Sequence, residues 1–73
     1  MESASYKGCR IFGHAILQQE DILSAGLFAG SGTITRDTKM VETSGVLGVF
    51  DTEEAAQLAG LDWARASVDS HGA

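Results

Sequence analysis

The sequence predicts an α+β domain, in which a three-stranded antiparallel β-sheet is packed by one C-terminal α-helix in the order β-β-β-α. Two observations carry this expectation. The first fifty residues are rich in Ile, Val, Thr and Phe and alternate with the period of strands, whereas the residues after Phe50 repeat with the period of a helix. The 73 residues contain no proline, no linker-like run and no internal repeat, so 1–73 is expected to form a single small domain with frayed ends at 1–4 and 72–73.

The strands are expected at about 6–19, 27–36 and 40–50. Asp37-Thr38-Lys39 suits a tight hairpin turn between the second and third. The stretch Glu20-Asp21-Ile22-Leu23-Ser24 reads as a loop or one helical turn. The helix is expected at about 51–71. Asp51 with Glu54 has capping-box spacing, and Phe50 stands where a hydrophobic staple would. Glu53 and Glu54 suit the positive end of the helix, and His71 with Gly72 supplies a stop. At 100° per residue, Ala56, Gly60 and Ala64 centre an apolar arc flanked by Leu61 and Trp63. Small residues there allow a close approach to a sheet, which is the best reason for a mid-helix Gly60 that costs about 1 kcal/mol relative to Ala. Leu58 falls among the charges and is expected to be exposed. Asp62, Arg65 and Asp69 are spaced for ion pairs along the outer face.

Alternation assigns the faces. Cys9, Ile11, Ala15, Leu17, Phe28, Ile34, Val41, Leu47 and Val49 are expected beneath the helix. On the reverse are Tyr6, Arg10, Phe12, His14 and Ile16, then Leu27, Ala29, Ser31, Thr33 and Thr35, then Met40, Glu42, Ser44 and Val46. One helix covers one side of a sheet, so Tyr6, Arg10, Phe12, His14, Ile16, Leu27 and Met40 make a candidate partner-binding surface.

No stretch carries a catalytic, metal or phosphate-binding signature, and no cofactor is expected. Gly26, Gly30 and Gly32 lack both the dinucleotide and the P-loop patterns and precede a strand, so they read as strand glycines allowing bulges or close backbone approach. Cys9 and His14 are an odd number of residues apart and point to opposite faces, which removes a thiol–imidazole pair. Glu53 and Glu54 do not face each other on a helix. Cys9, His14 and His71 do not make a paired zinc-ligand spacing. As the single cysteine, Cys9 excludes an internal disulfide and fits a reducing cytoplasm, where it reads as a small buried hydrophobe. The first residues have neither a basic nor an apolar signal region, and no apolar stretch approaches membrane-spanning length.

Ten acids against five bases give a net charge of -5, of which -4 lies after Phe50. That distribution disfavours nucleic acid. Lys7-Gly8-Cys9-Arg10-Ile11-Phe12 matches only the opening Lys-Gly of an RNA-recognition strand.

Tyr6-Lys7-Gly8, Ile11, Gly32-Thr33-Ile34, Phe50-Asp51-Thr52-Glu53-Glu54-Ala55-Ala56, Trp63-Ala64-Arg65-Ala66 and Val68-Asp69-Ser70-His71 run through nearly the whole chain. On these residues it resembles a group of short uncharacterised proteins of Burkholderia and related bacteria. The resemblance implies a sheet with a C-terminal helix and brings no assigned activity, cofactor or catalytic residue. It also implies aromatics where this chain has Cys9 and Ser67, and hence a looser sheet–helix contact here.

The expected function is a non-enzymatic module that self-associates as a homodimer or binds a protein partner through the open sheet face or a strand edge. The alternative is binding of single-stranded nucleic acid or a small ligand on that face.

Overall fold

Lys7 and Gly8 both take positive φ, 51° and 83°, the combination that a two-residue type I′ hairpin turn requires. The chain therefore doubles back where a continuous strand over 6–19 was expected. The computed structural model describes residues 2–18, 26–37 and 39–71, with only the backbone of His71. Within them are five strands and one helix: β1 (Glu2–Tyr6), β2 (Cys9–Gln18), β3 (Leu27–Arg36), β4 (Lys39–Thr43), β5 (Gly48–Phe50) and α1 (Glu53–His71). The α+β class stands, an antiparallel sheet with one C-terminal helix, but the strand count is five and not three. Residues 20–24, expected as a loop or a helical turn, and the Gly72 stop lie outside the described residues.

The sheet order is β1-β2-β3-β4, and β5 also pairs with β3. β2 and β3 are its long central hairpin, in register from Arg10↔Thr35 to Gln18↔Leu27. The expected turn at 37–39 is present as the Arg36↔Lys39 closure, with Asp37 at φ 52°, although Thr38 lies outside the described residues. The expected third strand is interrupted at 44–47. There the Ser44 N–H donates to the Gly32 carbonyl and the Leu47 N–H to the Gly30 carbonyl, so the segment stays tied to β3 between β4 and β5.

Two departures reverse part of the face assignment. Because β1 folds back, Tyr6 lies opposite Cys9 and faces the helix, so it does not belong to the open face. Between Thr35↔Met40 and Ile34↔Glu42 the register shifts by one residue at Val41. A one-residue bulge exchanges the two faces for everything beyond it. Glu42 therefore turns to the helix side, where the Ser67 hydroxyl donates to its carboxylate at 3.2 Å. Val49 pairs with Ala29 on the open face, and Phe50 with Phe28 on the helix side.

The helix begins one residue later than the Asp51 cap implies. The Thr52 side-chain oxygen accepts from the Ala55 N–H at 3.0 Å, so Thr52 is the N-cap and the Asp51–Glu54 capping box does not form. Phe50 accordingly sits two residues before the cap, and its ring packs beside Gly30 instead of acting as a staple. Along α1, Ala56, Leu61, Ala64 and Val68 are buried, and Leu58 is exposed as expected. They cover Cys9, Ile11 and Ile34, with Ala4, Tyr6 and Trp63 packed around the edge.

The centre of this contact is backbone against backbone. A Cβ built on Gly13 falls 2.0 Å from the Gln57 carbonyl oxygen, and one on Gly60 falls 2.0 Å from that of Ser31. A Cβ built on Gly32, the cross-strand partner of Gly13, falls 2.5 Å from the Gly60 carbonyl oxygen. No side chain fits, which is the close approach expected of Ala56, Gly60 and Ala64. Gly60→Ala, which raises helix propensity, is expected to destabilise the protein by about 2 kcal/mol or more because the overpacking is against a rigid carbonyl. Gly48→Ala, whose Cβ meets Phe50 at an ordinary 3.6 Å, is expected to stay within about 1 kcal/mol of the parent in urea denaturation.

Candidate functional site

The face turned away from the helix is built from rows of cross-strand neighbours. Ile16, Ala29 and Val49 form one row, Gln18 and Leu27 the next, and His14 with Ser31 the row on the other side. Beyond these come Ser3, Phe12, Thr33 and Thr43, then Ser5, Arg10, Thr35 and Met40. Of the residues expected here, Arg10, Phe12, His14, Ile16, Leu27 and Met40 are brought together on this face, and Tyr6 is not. Met40, Val49 and Ile16 are more than half exposed, at 67%, 53% and 51%. Ala29, between Ile16 and Val49, is only 2% exposed.

Phe12 and His14, two apart on β2, stack with centroids 6.2 Å apart and ring planes at 12°. His14 Nε2 is 3.0 Å from the Thr33 hydroxyl oxygen, a contact that fixes the imidazole beside Phe12. The only carboxylates in the five strands, Glu2 and Glu42, are opposite Gly13 and Ile34 and therefore on the helix side. The open face is neutral apart from Arg10. Lys7 pairs with Asp69, and Arg36 donates to Cys9, so the basic residues Lys7, Arg10 and Arg36 do not gather on one face.

On the helix side, a cavity of about 340 Å³ opens between α1 and β3–β4. Ile34, Val41 and Val68 supply its apolar walls, and Arg36, Glu42 and Ser67 its polar groups. Cys9, buried as expected, also lines it, and Arg36 donates to its sulfur at 3.4 Å. Composition and spacing pointed to no such concavity. It depends on the Val41 bulge, which brings Glu42 to this side, and on Ser67, a small residue at a helix position facing the sheet.

A third cluster clasps the two ends of the fold. The Tyr6 hydroxyl donates to Asp69 at 2.9 Å and the Lys7 ammonium at 2.7 Å, with that ammonium 5.4 Å from the centroid of the Tyr6 ring. Asp69 thus reaches across to β1 instead of joining an ion pair along the helix, while Asp62 and Arg65 make the expected pair at 3.3 Å. The Lys7 and Tyr6 donors hold the Asp69 carboxyl below the usual carboxylate range, and the same contact raises the Lys7 ammonium.

Among the described residues no cluster of His, Cys, Asp and Glu is arranged for a metal ion, and no helix is long and apolar enough to cross a membrane. No protein-family model matches the chain, and comparisons with curated proteins and with solved structures return no match.

The clasp predicts a dependence on pH at both ends of the scale. Asp69 is depressed in the folded state, so its contribution is complete above its unfolded value of about 3.9 and is lost as pH falls through the lower folded value. Lys7 is raised, so its contribution is complete below about 10.4 and is lost as pH rises through the higher folded value. Asp69→Asn is expected to remove both dependences from a pH series of urea denaturation midpoints.

Proposed function

We propose that the protein is a non-enzymatic self-association module whose open sheet face docks on the same face of a second copy. The supporting observation is the pairing of exposed apolar residues with the absence of carboxylates on that face. Ile16, Val49, Leu27, Phe12 and Met40 lie on a surface free of acidic strand residues, in a chain of net charge -5. The strand acids Glu2 and Glu42 are on the other side of the sheet, so two copies can meet here without bringing those carboxylates together. A strongly charged partner finds only Arg10 to recognise, whereas an identical face offers matching apolar and hydroxyl rows about a twofold axis.

The size of the face supports a reversible contact. Ten-residue strands rising about 3.3 Å per residue, spaced about 4.8 Å apart, give roughly 500 Å² per copy. A face-to-face pair then buries roughly 1,000 Å², near the lower limit of specific interfaces. The sheets would stack about 10 Å apart with Ile16 and Val49 interleaved across the axis.

Sedimentation velocity over a wide range of protein concentration is expected to show a monomer–dimer equilibrium. Ile16→Asp and Val49→Asp should each raise the dissociation constant at least about tenfold, or about 1.4 kcal/mol, with circular dichroism unchanged. Phe12→Ser should also weaken association while leaving the monomer folded. Parent protein that remains monomeric throughout, or aspartate variants that dimerise as well as the parent, would overturn the proposal.

A further inference from the structure

The cavity between α1 and β3–β4 has a buried floor and an open rim. Cys9, Ile34 and Val68 are buried, whereas Val41 is 59% exposed and Arg36 is exposed beside it. The space is therefore reached from solvent, past Val41 and Arg36.

The polar groups around it are already engaged within the chain. The Ser67 hydroxyl donates to Glu42, and Arg36 donates to the Cys9 sulfur. Glu42 has a further contact, and Asp37, next to Arg36, has one of its own. Among the described residues no buried side-chain nitrogen or oxygen lacks a hydrogen bond. A charged ligand would give up its hydration with no unmet charge to receive it, which costs free energy. A neutral molecule that binds by apolar contact with Ile34, Val41 and Val68 meets no such cost.

Size and wall chemistry narrow the class further. A volume of about 340 Å³ is roughly twice that of a cavity known to hold benzene, which suits two fused rings. Two wall groups favour an aromatic system over a saturated one of the same size. The Cys9 sulfur is polarizable and suits a ring edge. The Arg36 guanidinium is planar, and such a group stacks its face on a ring while its N–H groups stay engaged in its own plane. Arg36 thus receives a ring without giving up an existing contact.

We infer that this cavity binds a neutral bicyclic aromatic molecule. The rings cover Ile34, Val41 and Val68 and touch Arg36 and Cys9, and any hydroxyl they carry stays in water at the rim. The site is on the opposite side of the sheet from the proposed dimer face, so the two readings stand or fall separately.

The test is a titration of isotope-labelled full-length protein with 2-naphthol, neutral at neutral pH, followed by amide NMR shifts. Matched probes are phenol, which lacks the second ring, decahydro-2-naphthol, which lacks the aromaticity, and 2-naphthoate, which adds a charge. Saturable shifts at Ile34, Val41 and Val68 are expected with 2-naphthol. Phenol should bind at least about tenfold more weakly and decahydro-2-naphthol at least about threefold, and 2-naphthoate should bind no more tightly. Ser67→Phe, which fills the cavity, should abolish binding. Val41→Ser and Arg36→Leu, both at exposed positions, should each weaken it at least about threefold with native circular dichroism, while Ile16→Asp should leave it unchanged. Absence of saturable shifts, shifts centred on Phe12 and His14 instead, equal binding by phenol or decahydro-2-naphthol, tighter binding by 2-naphthoate, or undiminished binding in Val41→Ser and Arg36→Leu would overturn the inference.

Discussion

The whole molecule hangs on a contact in which side chains are excluded. At Gly13, Gly32 and Gly60 the helix and the sheet meet carbonyl against Cα, and nothing larger than hydrogen fits between them. Glycine weakens both strand and helix in isolation, so the local preferences of these residues oppose the structure they occupy. Dispersion and apolar burial over the closely apposed surfaces offset that cost, because many weak contacts form at once. Over Gly13 and Gly32 the helix lies directly on the backbone, while over Ile11 and Ile34 it is held off by the length of a side chain. The cavity opens at that second end, between Ile34 and Val68.

Much of this was legible from residue types. Ala56, Gly60 and Ala64 announced a close helix–sheet approach, and Leu58 announced an exposed position; both expectations match the structure. The errors come from two local insertions that reverse parity. Lys7-Gly8 is a hairpin turn buried inside what reads as a continuous strand, and missing it transferred Tyr6 to the wrong face. Val41 is an ordinary β-branched strand residue, and nothing in its chemistry marks it as the extra residue of a bulge. Its partner register, set by long-range pairing to β3, decides the matter, and that information is spread over residues far apart in sequence. The candidate open face survived because most of it comes from β2 and β3, whose register is regular. The cavity was invisible for the opposite reason, since its polar groups come from β3, β4 and α1 and become neighbours only through the bulge.

The two faces of the sheet divide the chemistry of the chain. The helix side holds Glu2 and Glu42 together with the Arg36–Cys9 and Lys7–Asp69 contacts. The open side holds hydroxyls, an imidazole stacked on a phenyl ring, and aliphatic groups. β3 is shared by both, since its successive residues alternate between them.

The clasp of Tyr6 and Lys7 on Asp69 joins residues 62 and 63 positions apart. Bringing such distant segments together costs roughly 4 kcal/mol in loop closure if nothing else is formed, but little once the β2–β3 hairpin and the helix are already packed. β1 is held in two ways, locally by the two-residue hairpin to β2 and at long range by this clasp on α1. Its release would bare the edge of β2, a ten-residue strand with unpaired backbone groups, to any chain able to add a strand there. The clasp thus holds β1 between that edge and α1.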